Sequence, residues 1–141
     1  MKKPIFRHLN PDWNAEPNAP LSSVNVDGAT VELRFVLDAW AYAAVEHELG
    51  FLSFEECSQW RLGPANDEGW HNGECRYSSV APEWGEFYEI SDEDEELRTQ
   101  PADWRMISPR RPDERHFLFY LHDETFECLA KSWTFRRRLP A

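Results

Sequence analysis

The sequence predicts a mainly β, α+β fold: a single curved antiparallel sheet, or a partly open barrel or sandwich, of about six to eight strands. Apolar and polar residues alternate along several segments, and Asp27-Gly28 is typical of a tight hairpin turn. Aromatic residues make up 14% of the 141 residues, which indicates enough apolar surface for one packed core. We expect an extended N-terminal arm over 1–23 and a single globular domain over 24–141.

The arm and the first strand differ in composition. Residues 8–23 are rich in Asn, Pro and Ala, and proline fixes φ and lacks a backbone N–H, so an extended segment is predicted. The turn at Asp27-Gly28 then leads into 29–37, where apolar residues occupy every second position. This spacing predicts a strand with one buried face. The apolar positions are Val31, Leu33, Phe35 and Leu37.

Residues 38–50 allow two interpretations. Trp40, Ala44 and Val45 fall on one helical stripe, with Asp38 as a candidate N-cap and Gly50 as a candidate C-cap residue. The alternative is a strand with Trp40 and Ala44 on one face. Because alanine is frequent here, we predict a short helix at 39–49.

Three further strands are predicted before residue 91. In a strand over 51–62, Leu52 and Phe54 would lie on one face and Cys57 on the other. A bulge at Glu55-Glu56 would add one residue and reset this alternation. Turn residues fill 63–69, and a returning strand is predicted at 70–80. The segment 84–90 is the third strand. Its shared face would carry Trp84, Tyr88 and Ile90.

The next segment is an acidic connector at 91–102. Ser91 followed by Asp94 resembles a capping box, so a helical turn at 92–99 is allowed by the sequence. A short strand is predicted at 104–107. Residues 108–115 contain two prolines and are predicted to form an exposed loop.

A hairpin is predicted over 116–135, with its tip at Asp123-Glu124 or in a four-residue loop of the same register. This register pairs residue 121 with 126, 119 with 128 and 117 with 130. One face then collects Phe117, Phe119, Leu121, Phe126, Cys128 and Ala130. The other face is also largely apolar, so we expect it to be covered by a helix, the arm or a partner, and a homo-oligomer contact is one option. That face holds Leu118, Tyr120, His122, Glu127 and Leu129.

Charge and composition exclude several classes of protein. The chain has 26 Asp and Glu against 15 Lys and Arg, and 20 of those acids precede residue 101. Such acidity disfavours nucleic-acid binding and favours basic partners. The basic run Arg136-Arg137-Arg138 is interpreted as lying near acidic surface or in solvent. The sequence contains no apolar run long enough for a membrane span and no signal-peptide pattern at its start. Together with the odd cysteine count of three, this predicts a cytoplasmic protein with reduced thiols.

Catalytic and metal-binding motifs have little support. The sequence lacks P-loop, dinucleotide and nucleophile-elbow patterns, so enzymatic activity is uncertain and a non-enzyme is favoured. His71 and Cys75 lie roughly 13 Å apart if their segment is a strand, which is too far for ligands of one zinc ion. We therefore predict no metal and no cofactor.

The functional hypothesis is an acidic protein-interaction module, such as an immunity- or antitoxin-like inhibitor of a basic protein partner. Tryptophans near turns with acids beside them are the candidate contact residues. They are Asp67, Glu68, Trp70, Trp84, Glu86 and Tyr88. The alternative is a small-molecule binder or small enzyme with a pocket on a curved sheet. That pocket would use Trp40, His71, Tyr120 and His122.

Overall fold

The computed structural model describes residues 3–63, 77, 81–93, 95, 98, 103–121 and 124–140. Within these residues, ten strands form two antiparallel sheets that pack face to face, with strand orders β1-β6-β8-β9-β5-β7 and β10-β4-β3-β2. The predicted mainly β fold is confirmed in its two-sheet, sandwich form, with more strands in the described residues than the six to eight predicted. The strands are β1 Ile5–His8, β2 Ser23–Asp27, β3 Thr30–Val36, β4 Leu49–Glu55, β5 Gln59–Gly63, β6 Phe87–Ser91, β7 Arg105–Met106, β8 Arg115–Tyr120, β9 Thr125–Ala130 and β10 Ser132–Arg138.

The core between the sheets is mostly aromatic. Phe54 of the four-stranded sheet contacts Phe117 and Phe126 of the six-stranded sheet, with ring centroids 5.3 and 5.5 Å apart. Phe35 meets Phe119 edge-on at 5.4 Å. These rings are fully buried, and aromatic pairs in such geometries add to the stabilisation that burial alone provides.

The first hairpin forms, but its two turn residues are Gly28-Ala29 and not Asp27-Gly28, because Asp27 pairs with Thr30. Gly28 has a φ of +61° whereas Ala29 is not among the residues with positive φ, which is typical of a type II′ turn and not of the predicted type I′ turn. In β3, Val31, Leu33 and Phe35 are fully buried, whereas the intervening residues are partly or well exposed.

The predicted bulge at Glu55-Glu56 marks a change of sheet. Glu55 pairs with Ser132, and Gln59 pairs with Leu129. The three residues 56–58 between the first pair members therefore lie opposite only two residues, 130–131, on the other strand segment. The extra residue is therefore present, and Glu56 has a φ of +50°. Here β4 passes into β5, and β9 passes into β10, as paired ribbons that cross from one sheet to the other.

The predicted helix at 39–49 is wrong, because residues 38–48 form an irregular connection and Leu49 already begins β4. Asp38 does cap the chain: its Oδ1 accepts from the backbone N–H groups of Trp40 and Ala41. The helical stripe, however, is not buried as a whole: Ala44 packs against the core, but Trp40 is 96% and Val45 52% exposed. Propensity without a buried face does not sustain a short helix.

The second hairpin has the predicted faces but a different register. Phe119 pairs with Phe126 and Phe117 with Cys128, a shift of two residues from the predicted pairing. Because side chains alternate with period two, this shift leaves every residue on its predicted face. Tyr120 pairs with Thr125, so the connection spans 121–124. The predicted strand 125–135 is divided at Lys131, where the chain changes sheets.

The N-terminal segment contributes a strand and core side chains to the sandwich. Ile5–His8 form β1, which pairs with β6 at one end of the six-stranded sheet. Trp13 enters the core, where its ring stacks on Phe135 with centroids 4.0 Å apart and also contacts Phe35 and Phe119. The boundary predicted at residue 23 therefore does not separate this segment from the packed core.

The outer face of the β8–β9 hairpin is covered by the chain itself. Leu118, Tyr120 and Leu129 are at most 1% exposed, and Tyr77 and Trp84 pack over this side of the sheet. The apolar surface predicted for a homo-oligomer contact is thus buried inside the molecule.

The remaining predicted segments have mixed outcomes. The strand predicted at 84–90 is confirmed from Phe87 onward as β6, with the turn at Gly85 before it, and the strand at 104–107 is confirmed as the two-residue β7. Within 92–99, Glu95 and Arg98 are helical. The strand predicted at 70–80 lies outside the described residues apart from Tyr77. Among the described residues, no helix is long and apolar enough to cross a membrane.

Candidate functional site

A concave pocket of about 190 Å³ opens where the N-terminal segment, the end of β3 and the turn before β6 meet. Its lining combines two carboxylates, an amide and two aromatic rings. Among the lining residues are Asn14, Asp38, Trp84, Gly85, Glu86 and Tyr120. Trp84, Glu86 and Tyr120 are candidate residues from the sequence, and the fold brings all three together.

The turn at Gly85 positions one side of the pocket. Gly85 has a φ of +88°, which L side chains rarely adopt, so glycine is required between Trp84 and Glu86. Its carbonyl accepts a 2.7 Å hydrogen bond from Nδ2 of Asn14. Asn14 also accepts from the N–H of Ala15 through Oδ1, so this amide fixes the N-terminal segment against the turn.

The two carboxylates come from different elements. Asp38 follows β3 and is 8% exposed; its Oδ1 caps the following turn, while Oδ2 has no hydrogen-bond partner among the described residues. Glu86 precedes β6, and its Oε2 lies 2.8 Å from Nε2 of His8. The described residues that line the pocket include neither Lys, Arg nor His. The pocket is therefore acidic.

Two aromatic residues form one wall of the pocket, and a nearby tyrosine reports its negative potential. Trp84 packs on Tyr120 with ring centroids 4.6 Å apart. Beside the pocket, burial raises the pKa of Tyr42, and the negative charges of Glu86 and Asp38 raise it further. A phenol that ionises less readily next to two carboxylates is the expected sign of negative potential.

Two predicted site residues have other positions. Tyr88 is 2% exposed, and its hydroxyl contacts the backbone of Glu83, so it supports the turn from below and is not a surface contact. Burial raises the pKa of Tyr88 to about 12. Trp40, predicted as a pocket wall, lies on the surface beside Asp38. Asp67, Glu68, Trp70, His71 and His122 lie outside the described residues.

Sequence reasoning missed Asp38 and Asn14 as site residues. Asp38 was interpreted as a helix cap, and it does cap a turn with one carboxylate oxygen. Its position directly after a strongly alternating strand is the signal that could have identified it, because strand ends commonly carry binding residues. Asn14 lies in the predicted arm, where no periodic pattern marks it.

A second polar cluster lies on the outer face of the six-stranded sheet. His116 is fully buried, with Nδ1 2.5 Å from Glu93 and Nε2 2.8 Å from Glu127. Ionised carboxylates only accept hydrogen bonds, so both ring nitrogens carry protons and His116 is a cation. Arg98 binds Glu93 at 2.9 Å and Arg61 binds Glu127 at 3.0 Å.

The pKa shifts in this cluster follow from those contacts. Burial alone would lower the pKa of His116, but its hydrogen bonds with Glu127 and Glu93 and their charges raise it above 6.5. Burial alone would raise the pKa of Glu93, yet contacts with His116, Tyr77 and Arg98 lower it to about 2. The cluster alternates cations with carboxylates and is a structural network. In the described part of the chain, no group of three or more His, Cys, Asp or Glu is arranged to hold a metal ion.

The C-terminal basic run is paired with acidic surface, in agreement with the sequence interpretation. Arg136 contacts Glu32 at 3.0 Å and Arg137 contacts Glu48 at 2.8 Å. Arg136 also lies over the ring of Phe51, 4.2 Å from its centroid. Arg136 and Arg138 thus lie over Phe51 on the outer face of the four-stranded sheet, whereas Arg137 alternates to the other side of β10.

Comparisons with protein-family models, curated proteins and solved structures give no match for this chain. Functional inference therefore depends on the pocket and the surface around it.

Proposed function

We propose that the protein binds a basic protein partner and acts as an immunity- or antitoxin-like inhibitor of that partner. The observation that carries this proposal is the acidic pocket with a fully exposed tryptophan beside it. Trp40 is 96% exposed, and its backbone N–H is held by Asp38 of the pocket. Tryptophan is enriched among the residues that dominate binding energy at protein interfaces.

The surroundings of Trp40 support a protein interface. A second concavity of about 240 Å³ is lined by apolar residues that include Leu21, Val36 and Ala39, together with Glu16, Glu46 and His47. Leu21 is 70% exposed. Trp40 directly follows Asp38 of the acidic pocket and Ala39 of the second concavity, and an exposed aromatic residue in such a place is typical of an interface.

The volumes argue for a protein side chain as the guest. Sites for drug-sized ligands and cofactors usually span about 300–1,000 Å³. The acidic pocket, at about 190 Å³, is smaller than that range. The small-molecule or enzyme alternative is therefore not the function that we propose.

A cytoplasmic location is part of the proposal. Cys57 and Cys128 are fully buried free thiols that contact each other, and burial together with Cys57 raises the pKa of Cys128. Adjacent thiols that remain unbonded are consistent with a reducing compartment.

The proposal is tested by measuring binding between this protein and the purified basic products of genes adjacent to its own. We expect association that slows as salt rises, because an acidic surface steers a basic partner over long range. Trp40→Ala should weaken binding at least tenfold, whereas Leu139→Ala, which removes another exposed apolar residue, should not. If no basic neighbour binds, or if binding ignores salt, the proposal is wrong.

A further inference from the structure

We propose that the acidic pocket recognises the guanidinium group of one arginine, presented by the basic partner. This inference rests on the proposed function and specifies the chemistry of its contact. Three features of the pocket favour this guest: an unpaired carboxylate oxygen on a largely buried residue, a second carboxylate and an aromatic wall.

Asp38 is the first feature. More than nine-tenths of this residue is buried, and it lines the pocket. Its Oδ1 is occupied by two backbone N–H groups at 2.9 and 3.1 Å, while Oδ2 has no partner among the described residues. Oδ2 is not among the buried atoms that lack a partner, so it is open to the pocket and free to accept from the donor of a guest.

Glu86 is the second feature. Its side chain is 15% exposed, and His8 occupies Oε2, which leaves Oε1 without a hydrogen-bond partner in the described part of the chain. The two available oxygens thus belong to carboxylates on two different segments of the pocket wall. A single guest with several donors in a fixed arrangement can bind both.

The aromatic wall is the third feature, and it favours arginine over lysine as the bound residue. Trp84 and Tyr120 line the pocket as a packed pair. Guanidinium is planar, offers five N–H donors, stacks on aromatic rings and is less strongly hydrated than ammonium. Lysine offers a compact point charge with three donors and no plane to stack. The combination of two carboxylates with an aromatic wall therefore favours arginine.

The probe for a direct test is N-acetyl-arginine methylamide, with the lysine analogue and the neutral citrulline analogue as comparisons. Binding is followed by NMR through the backbone amides of Gly85 and Glu86. We expect saturable shifts with the arginine compound, weaker binding of the lysine compound and no binding of citrulline. Equal binding of all three compounds, or shifts located elsewhere on the surface, would overturn the inference.

Matched variants locate the contact. Asp38→Asn retains Oδ1 for its capping role and removes the charge, and we expect about tenfold weaker arginine binding. Glu86→Gln is a second, independent variant with the same expectation. Asp113→Asn makes the same change of charge at a residue outside the pocket and should bind as the wild type does. Dispersed amide spectra verify that each variant is folded.

The same variants, tested with an oligo-arginine peptide and with the basic partner, separate this inference from the proposed function. If the partner binds wild type and Asp38→Asn equally, the pocket inference fails and the proposed function stands. If the arginine compound binds in the pocket but no basic protein does, the proposed function fails and the site is a guanidinium site without a protein partner. If Asp38→Asn and Glu86→Gln weaken both the compound and the partner, both are supported.

Discussion

Nε2 of His116 lies 2.8 Å from Oε2 of Glu127, and both side chains are buried between neighbouring strands β8 and β9. The contact joins two groups that would each be costly to bury alone. It also links the carboxylate–arginine pairs on either side of it into one network.

The first prediction is that His116→Ala lowers the free energy of unfolding by about 3 kcal/mol. Removing one partner of a buried ion pair typically costs about 3–5 kcal/mol, and the lower end applies because Glu93 and Glu127 each keep an arginine. Urea denaturation measures the change. The control is His47→Asn, an exposed site with positive φ that asparagine tolerates, where a change within about 0.5 kcal/mol is expected. A cost below about 1 kcal/mol for His116→Ala would contradict the prediction.

The second prediction concerns the pH dependence of stability. His116 has a raised pKa in the folded state, so its stabilisation is complete below pH 6.5 and is lost as the pH rises through the folded value. Glu93 has a lowered pKa of about 2 in the folded state. Its contribution to the stability of the fold is therefore present above pH 4.5 and is lost as the pH falls towards 2. Stability should therefore be greatest between about pH 4.5 and 6.5.

The alkaline limb of this profile can be assigned to a single residue. Above pH 6.5 the free energy of unfolding should fall by up to about 1.4 kcal/mol per pH unit, the value for one proton. Urea titrations at several pH values give the slope. His116→Gln removes the ionisable group and should flatten this limb, whereas a slope unchanged by the substitution would assign the titration to another group.

The third prediction compares two tryptophans. Trp13→Ala should destabilise the protein by about 3–5 kcal/mol, because it empties a buried site that contacts both sheets. Trp40→Ala should change stability by less than about 0.5 kcal/mol, since the side chain is 96% exposed. Denaturant unfolding of both variants measures this difference. Comparable stability losses would mean that Trp13 does not contribute to the core or that Trp40 is packed.

The sequence predicted which face of a strand is buried better than it predicted pairing. Alternation in 116–130 correctly placed Phe117, Phe119 and Phe126 in the core. The observed register differs by two residues, a shift that moves no side chain to the other face. The alternation of apolar and polar residues therefore could not exclude the observed register. Asp123-Glu124 is poor chemistry for a two-residue turn, and the four-residue connection that replaces it sets the actual pairing.

The site was only partly predictable for a related reason. The sequence placed Trp84 and Glu86 on one face of a strand; both lie in the turn before β6, where they line the same pocket. Asp38 and Asn14 join them only through the tertiary fold, because Asn14 accepts from Asp38 N–H through its carbonyl and holds Gly85 through its amide. Contacts between segments more than twenty residues apart leave no periodic signal in either segment.

The last prediction uses Gly50, which the helix interpretation placed at a C-cap and which the structure places in β4. A Cβ added here would lie 2.8 Å from Cε2 of Phe35 and 3.0 Å from Cδ2 of Leu37, and both side chains are buried. Gly50→Ala should therefore cost about 1–3 kcal/mol through overpacking, and Gly50→Asn should cost more. At a helix C-cap the order would be reversed, because asparagine tolerates the left-handed conformation. Ser53→Ala on the same strand is the control, with a change within about 0.5 kcal/mol. Denaturant unfolding gives the order, and an asparagine variant more stable than the alanine variant would contradict the strand assignment.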